Sequence, residues 1–97
     1  MTQKNRQIQL DSNPVKEELY SILESLIFAA ERDDVDSVQR LNKRYNSLDF
    51  SMPMRDRSAE YDNCRQSCVF AVVTFRHKRK EYIADAKERF ARLSWSN

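Results

Sequence analysis

SCVFAVVTFRHKRKE, residues Ser67 to Glu81, decides how the chain is read. An apolar run rich in β-branched residues passes within one step into Arg76, His77, Lys78, Arg79 and Lys80. As a strand, VFAVVTF has suitable residue types, yet no turn signal separates it from YDNCRQ before it or from RHKRKEYIADAKERF after it. As a helix, Tyr61, Cys64, Cys68, Ala71, Phe75, Lys78, Tyr82, Ala86, Phe90 and Leu93 form a seam with three- or four-residue steps throughout. Lys78 is its sole charged member, and its aliphatic stem suits a place along the seam with the ammonium outside. Val and Thr each cost a helix only roughly 0.5 kcal/mol, too little to outvote that periodicity. The spacing predicts one helix from about Arg57 to Leu93, roughly 55 Å long at about 1.5 Å per residue.

Upstream, two shorter helices are expected. Asn13 is a suitable N-cap, Pro14 fits the first helical position, and Glu17 and Glu18 complement the positive end of the dipole. Leu19, Ile22, Leu23, Leu26, Ile27 and Ala30 then make a wide apolar stripe that ends near Arg32. In ERDDVDS, Asp33 or Asp34 caps a second helix, along which Val38, Leu41, Tyr45 and Leu48 form a narrow seam with Arg40, Lys43 and Arg44 outside it. The two together are an αα-hairpin. DFSMPMRD, residues 49–56, breaks the pattern: Pro53 disfavours helix at Met52, and Asp56 or Ser58 caps the next helix. Residues 1–10 read as a flexible arm and residues 94–97 as a tail. The expected fold is therefore all-α, a single domain of three helices, with a short αα-hairpin and one long C-terminal helix. A hairpin of short helices cannot cover that long helix, so its second half must bend, project, self-associate or bind a partner.

Composition narrows the function classes. The 97 residues are one-third charged and 40% apolar, with a net charge of +2, which suits one domain with a modest core. Charge is unevenly placed. Residues 11–36 hold eight acids against Lys16 and Arg32, a balance of −6, and residues 65–97 hold eight bases against Glu81, Asp85 and Glu88, a balance of +5. Either the two segments pack antiparallel and neutralise each other, or part of the basic segment stays free for an acidic partner. Glycine is absent, which argues against tight hairpins and excludes the phosphate-cradling and dinucleotide fingerprints. No apolar run reaches the roughly 20 residues of a membrane span, and MTQKNRQIQL has no apolar core of a signal peptide, so the expected location is the cytoplasm.

No constellation of catalytic or metal-ligating residues stands out. Cys64 and Cys68 share one helix face at a spacing poor for a disulfide, and the single histidine, His77, lies off that face. They read as core thiols, with no metal or cofactor expected. His77, between Arg76 and Lys78, has no orienting carboxylate nearby in sequence. RHKRK resembles phosphate-contacting clusters, although on a helix only Arg76, Arg79, Lys80, Ile83 and Lys87 gather on one side. Met52, Pro53 and Met54, close to Phe50, either fold back on the core or offer an adaptable contact surface. Trp95 in the tail is either a lid on the core or a binding anchor.

These features point to a non-enzymatic helical adaptor or modulator that binds a protein partner, with Arg76, Arg79, Lys80, Ile83, Lys87, Trp95, Met52, Pro53 and Met54 as candidate contacts. A nucleic-acid-binding protein that uses the basic face is the alternative, and homo-oligomerisation through the long helix is a further expectation. LIFAAERDDVDSVQRLNKRYNSL, residues 26–48, resembles the helical hairpin of flagellar export chaperones, which implies a secretion-type chaperone as a third reading. In size, lack of glycine and basic helical character the chain also resembles bacteriophage accessory proteins that redirect host machinery, the anti-RecBCD proteins of lambdoid phages among them. That likeness is of kind and assigns no residue; it implies a host DNA-processing complex as partner, in the host cytoplasm.

Overall fold

Asp34 shows how a chain without glycine turns its first corner. The computed structural model describes residues 14–93, which fold into four α-helices with no strand among them. The first, α1 (Pro14–Glu31), is followed after three residues by α2 (Val35–Phe50). Asp33 occupies the left-handed region at φ 55°, the only described non-glycine residue with positive φ. The Asp33 amide donates to the Ala30 carbonyl at 3.0 Å and the Asp34 amide to Ala29 at 2.9 Å. This pair of bonds is a Schellman cap, built on an aspartate where glycine is usual. Asp34 then caps α2, accepting the Ser37 amide at 3.2 Å and the Ser37 hydroxyl at 2.7 Å.

The stripe on α1 organises the core. Leu19, Leu23, Leu26 and Ala30 are at most 1% exposed, and Ile22, Ile27 and Ala29 widen the buried band. At about 100° per residue that band covers roughly 160° of the helix, more than one neighbour can shield. It is covered on two sides. From α2 come Val38 and Tyr45, with Leu41 and Leu48 half-buried; from the C-terminal half come Tyr61, Cys64, Cys68, Ala71, Val72, Ala86 and Leu93.

That C-terminal half corrects the expected architecture. In place of one helix from Arg57 to Leu93 there are two, α3 (Ala59–Val69) and α4 (Arg79–Leu93), folded back against each other. Ser58 caps α3, its hydroxyl accepting the Tyr61 amide at 3.2 Å. After Val69 the helix widens into a π-turn over Phe70–Thr74, closed by the Phe75 amide on the Phe70 carbonyl at 2.7 Å. Phe75 leaves helical space at φ −125°, ψ 58°, and a 3-10 turn over Arg76–Lys78 leads into α4. SCVFAVVTFRHKRKE is thus the corner of a helical hairpin rather than the middle of a rod, and the second half of the expected helix does not project.

The seam survives the bend. Tyr61, Cys64, Cys68 and Ala71 from α3 and its extension, and Ala86 and Leu93 from α4, are all buried; Phe75 and Lys78 sit at the corner and are exposed. Folding back shields Leu93 fully and Tyr82, Ile83 and Phe90 in part. At about 1.5–3 kcal/mol for each large apolar side chain fully buried, that outweighs the few helical hydrogen bonds lost at the corner, worth about 0.5–1.5 kcal/mol each. α1 and α3 lie against each other at the centre, and α2 and α4 each pack against both. The arm 1–10, the cap residue Asn13, the tail 94–97 and Trp95 fall outside the described residues.

Candidate functional site

The basic run has an intramolecular destination. The Arg76 guanidinium grips the Asp33 carboxylate with two bonds, at 3.0 and 2.9 Å, and one of its nitrogens also donates to the Val72 carbonyl at 2.8 Å. Arg79 points one nitrogen at the Ala30 and Glu31 carbonyls, 3.2 and 3.5 Å away. These are the last carbonyls of α1, where the helix dipole is negative. Lys87 pairs with Glu31, so three of the five basic-face residues are engaged with the acidic α1–α2 corner. Ile83 packs against the core. Lys78 and Lys80 are exposed and form no ion pair with any described residue. The antiparallel pairing of the acidic and basic segments is therefore what the fold adopts, and the basic face is not left as an open stripe.

An aromatic cluster completes the corner. Phe75 stands edge-on to Phe70 at 5.1 Å and stacks with Tyr82 at 5.7 Å, while Phe70 meets Tyr82 at 5.4 Å. His77 lies exposed, its ring 6.4 Å from Phe75, and makes no hydrogen bond to a described carboxylate. Further along the hairpin, Ser67 is buried and donates its hydroxyl to Asp85 at 2.5 Å, and Arg89 donates to the same oxygen at 2.7 Å. This polar bridge pins the register of α3 on α4.

Acid should weaken these joints. The Ser67 hydroxyl, then Arg89, holds the Asp85 carboxyl below its ordinary range, Arg76 does so for Asp33, and Ser37 for Asp34. A carboxyl lowered in the folded state adds stability that is complete above the unfolded value, near pH 4. That stability is lost as pH falls through the lower native value. The thermal midpoint, followed by circular dichroism, should be nearly level from about pH 7 to 5 and fall below about pH 4. The fall should be shallower in Asp85→Asn and Asp33→Asn.

At the opposite end of the bundle, the loop between α2 and α3 divides its apolar residues. Met52 folds inward at 5% exposed, whereas Phe50 and Met54 stand 71% and 79% exposed and Pro53 lies exposed between them. One side chain holds the loop in shape. Arg57 donates to the Met52 carbonyl at 3.2 Å and the Phe50 carbonyl at 3.3 Å, and its guanidinium lies 5.0 Å from the centre of the Phe50 ring. A 3-10 turn, Met54–Asp56, fixes the next step. Of the expected contact trio, Pro53 and Met54 are presented and Met52 is not. Phe50, noted in sequence only as a neighbour, stands beside Met54 as a large exposed part of the surface. Nothing in the periodicity marks it, because it is the last residue of α2 and lies beyond the seam.

Two other features lie apart from the corner and the loop. A cleft of about 520 Å³ opens between the start of α1, the start of α3 and the end of α4, with Lys16, Arg89, Arg92, Glu60 and Tyr61 in its wall. Cys64 and Cys68 are free and buried; burial pushes the Cys64 thiol up to about 12 and raises Cys68 as well, so both are protonated at neutral pH. Among the described residues no cluster of three or more His, Cys, Asp or Glu is arranged to hold a metal, and no helix is long and apolar enough to cross a membrane. Comparison with protein families, curated proteins and solved structures returns no match to this chain.

Proposed function

We propose that this chain is a non-enzymatic helical adaptor or modulator that binds a protein partner through the α2–α3 loop. The observation that carries the reading is the exposure of Phe50 and Met54 on a loop whose backbone Arg57 holds in place. Large apolar side chains presented from a braced loop lose little conformational entropy on binding, and they are the kind of anchor that dominates protein interfaces. Met54 adds a surface that adapts to its groove. The basic corner is a weaker candidate because Arg76, Arg79 and Lys87 already meet acids or carbonyls within the chain. Lys78 and Lys80 remain as the seat of a nucleic-acid reading. The likeness to phage accessory proteins suggests a host DNA-processing complex as the partner class, acting in the host cytoplasm.

Affinity purification from the native cells tests this, with and without nuclease, using the wild-type chain, Phe50→Asp/Met54→Asp and Lys78→Glu/Lys80→Glu. The expected result is one protein retained through nuclease and high salt, reduced about tenfold or more in the loop variant and unchanged in the lysine variant. Recovery of nucleic acid alone, or capture unaffected in a loop variant that keeps its helical spectrum, overturns the proposal.

A further inference from the structure

The α3–α4 corner is unusual in what it lacks. Residues Phe70–Arg79 contain no glycine, proline or asparagine, the residues that ordinarily commit a chain to a turn. Nearly all of the corner is already helical: a π-turn leads to Phe75 and a 3-10 turn leads away from it. The apolar seam keeps its three- and four-residue steps straight through, so the same residues would line one continuous helix from Ala59 to Leu93. Such a helix would be about 52 Å long, with its α4 half carried clear of its own bundle.

From these observations we propose that the corner is a hinge, through which two copies of this chain exchange α4 to form a domain-swapped dimer. The occupant of each bundle's α4 position is then the second copy's α4, and the contacts that seat it are those already present within one chain. These are the Cys64 thiol against the Ala86 carbonyl at 3.5 Å, the Ser67–Asp85–Arg89 bridge, the Tyr20–Phe90 ring pair at 4.6 Å and the Glu31–Lys87 ion pair. Exchange re-forms every one of them between copies, so the interface needs no new complementarity. What distinguishes the two states is confined to the corner. Closing the hairpin uses the Phe70–Phe75–Tyr82 cluster and the hold of Arg76 on Asp33. Opening it restores backbone bonds across residues 70–79 and returns Phe75, exposed at the corner, to the line of the seam. This inference does not depend on the α2–α3 loop.

Light scattering after size-exclusion chromatography, on the full chain refolded across a range of protein concentrations, reads the exchange. Phe75→Ala removes the aromatic lock and favours helix, so its dimerisation constant should rise about tenfold or more over wild type. His77→Pro is tolerated in the first turn after the corner but clashes with the Val73 carbonyl in a continuous helix, so it should remain a monomer. A second measurement separates exchange from surface association. Chains with Cys64 and Cys68 replaced by alanine, one carrying Ser67→Cys and the other Asp85→Cys, are refolded together and oxidised. Exchange places the two new thiols on facing helices of different copies, and a covalent heterodimer is expected. A monomer at every concentration in both wild type and Phe75→Ala overturns the proposal. So does a dimer that persists in His77→Pro, or one that yields no heterodimer on oxidation.

Discussion

Leu23→Ala is expected to cost about 3 kcal/mol, within the roughly 2–5 kcal/mol typical of buried leucines, and to lower the thermal midpoint by roughly 10–20 °C. Leu23 is fully buried at the centre of the stripe on α1, which like α3 touches all three other helices. Each neighbour is held by its own corner, so the walls have little freedom to collapse into the space the leucine leaves. For a domain of this size, whose total stability is about 5–15 kcal/mol, that is a large fraction. Urea unfolding followed by circular dichroism measures it. A loss below about 1 kcal/mol would mean that α1 is not the organising helix.

Tyr45→Phe should act in the opposite direction. Tyr45 is fully buried between α2 and its neighbours, its ring 5.6 Å from the Arg65 guanidinium, and its hydroxyl oxygen has no hydrogen-bond partner. Burial, with the nearby Asp49 and Asp62 carboxylates, raises that hydroxyl well above its ordinary range, so it stays neutral. A buried polar group without a partner costs about 1–3 kcal/mol. Phenylalanine keeps the ring and removes the group, and the urea midpoint is expected to rise by the equivalent of about 1 kcal/mol or more. A lower midpoint would show that the hydroxyl has a partner, such as a buried water.

Much of the fold follows from local pattern. Pro14, Asp34 and Ser58 mark the helix starts, and the stripes on α1 and α2 identify their buried faces. The break at residues 49–56 also falls where Pro53 places it, with α2 running two residues into it. The candidate surface was less readable. Met52 and Met54 are the same residue type two positions apart in sequence, yet one turns inward and the other, with Pro53, turns outward. The Arg57 side chain that settles this reaches back five and seven residues to carbonyl oxygens, a link that no periodicity records.

The amino-acid order was enough to establish an all-helical chain, the α1–α2 hairpin and the single apolar seam from Tyr61 to Leu93. Tertiary structure alone decided that this seam bends at Phe75. A seam with unbroken three- and four-residue steps is the same in a straight helix and in a helix folded back on itself, and SCVFAVVTFRHKRKE carries no residue that forces the turn. The choice rests on long-range terms: the width of the α1 stripe, which one partner helix leaves half exposed, and the acidic end of α1, which draws Arg76, Arg79 and Lys87 to it. Apolar burial and charge pairing between segments 40 or more residues apart thus overrule a local preference for continuous helix worth only about 1 kcal/mol or less per residue.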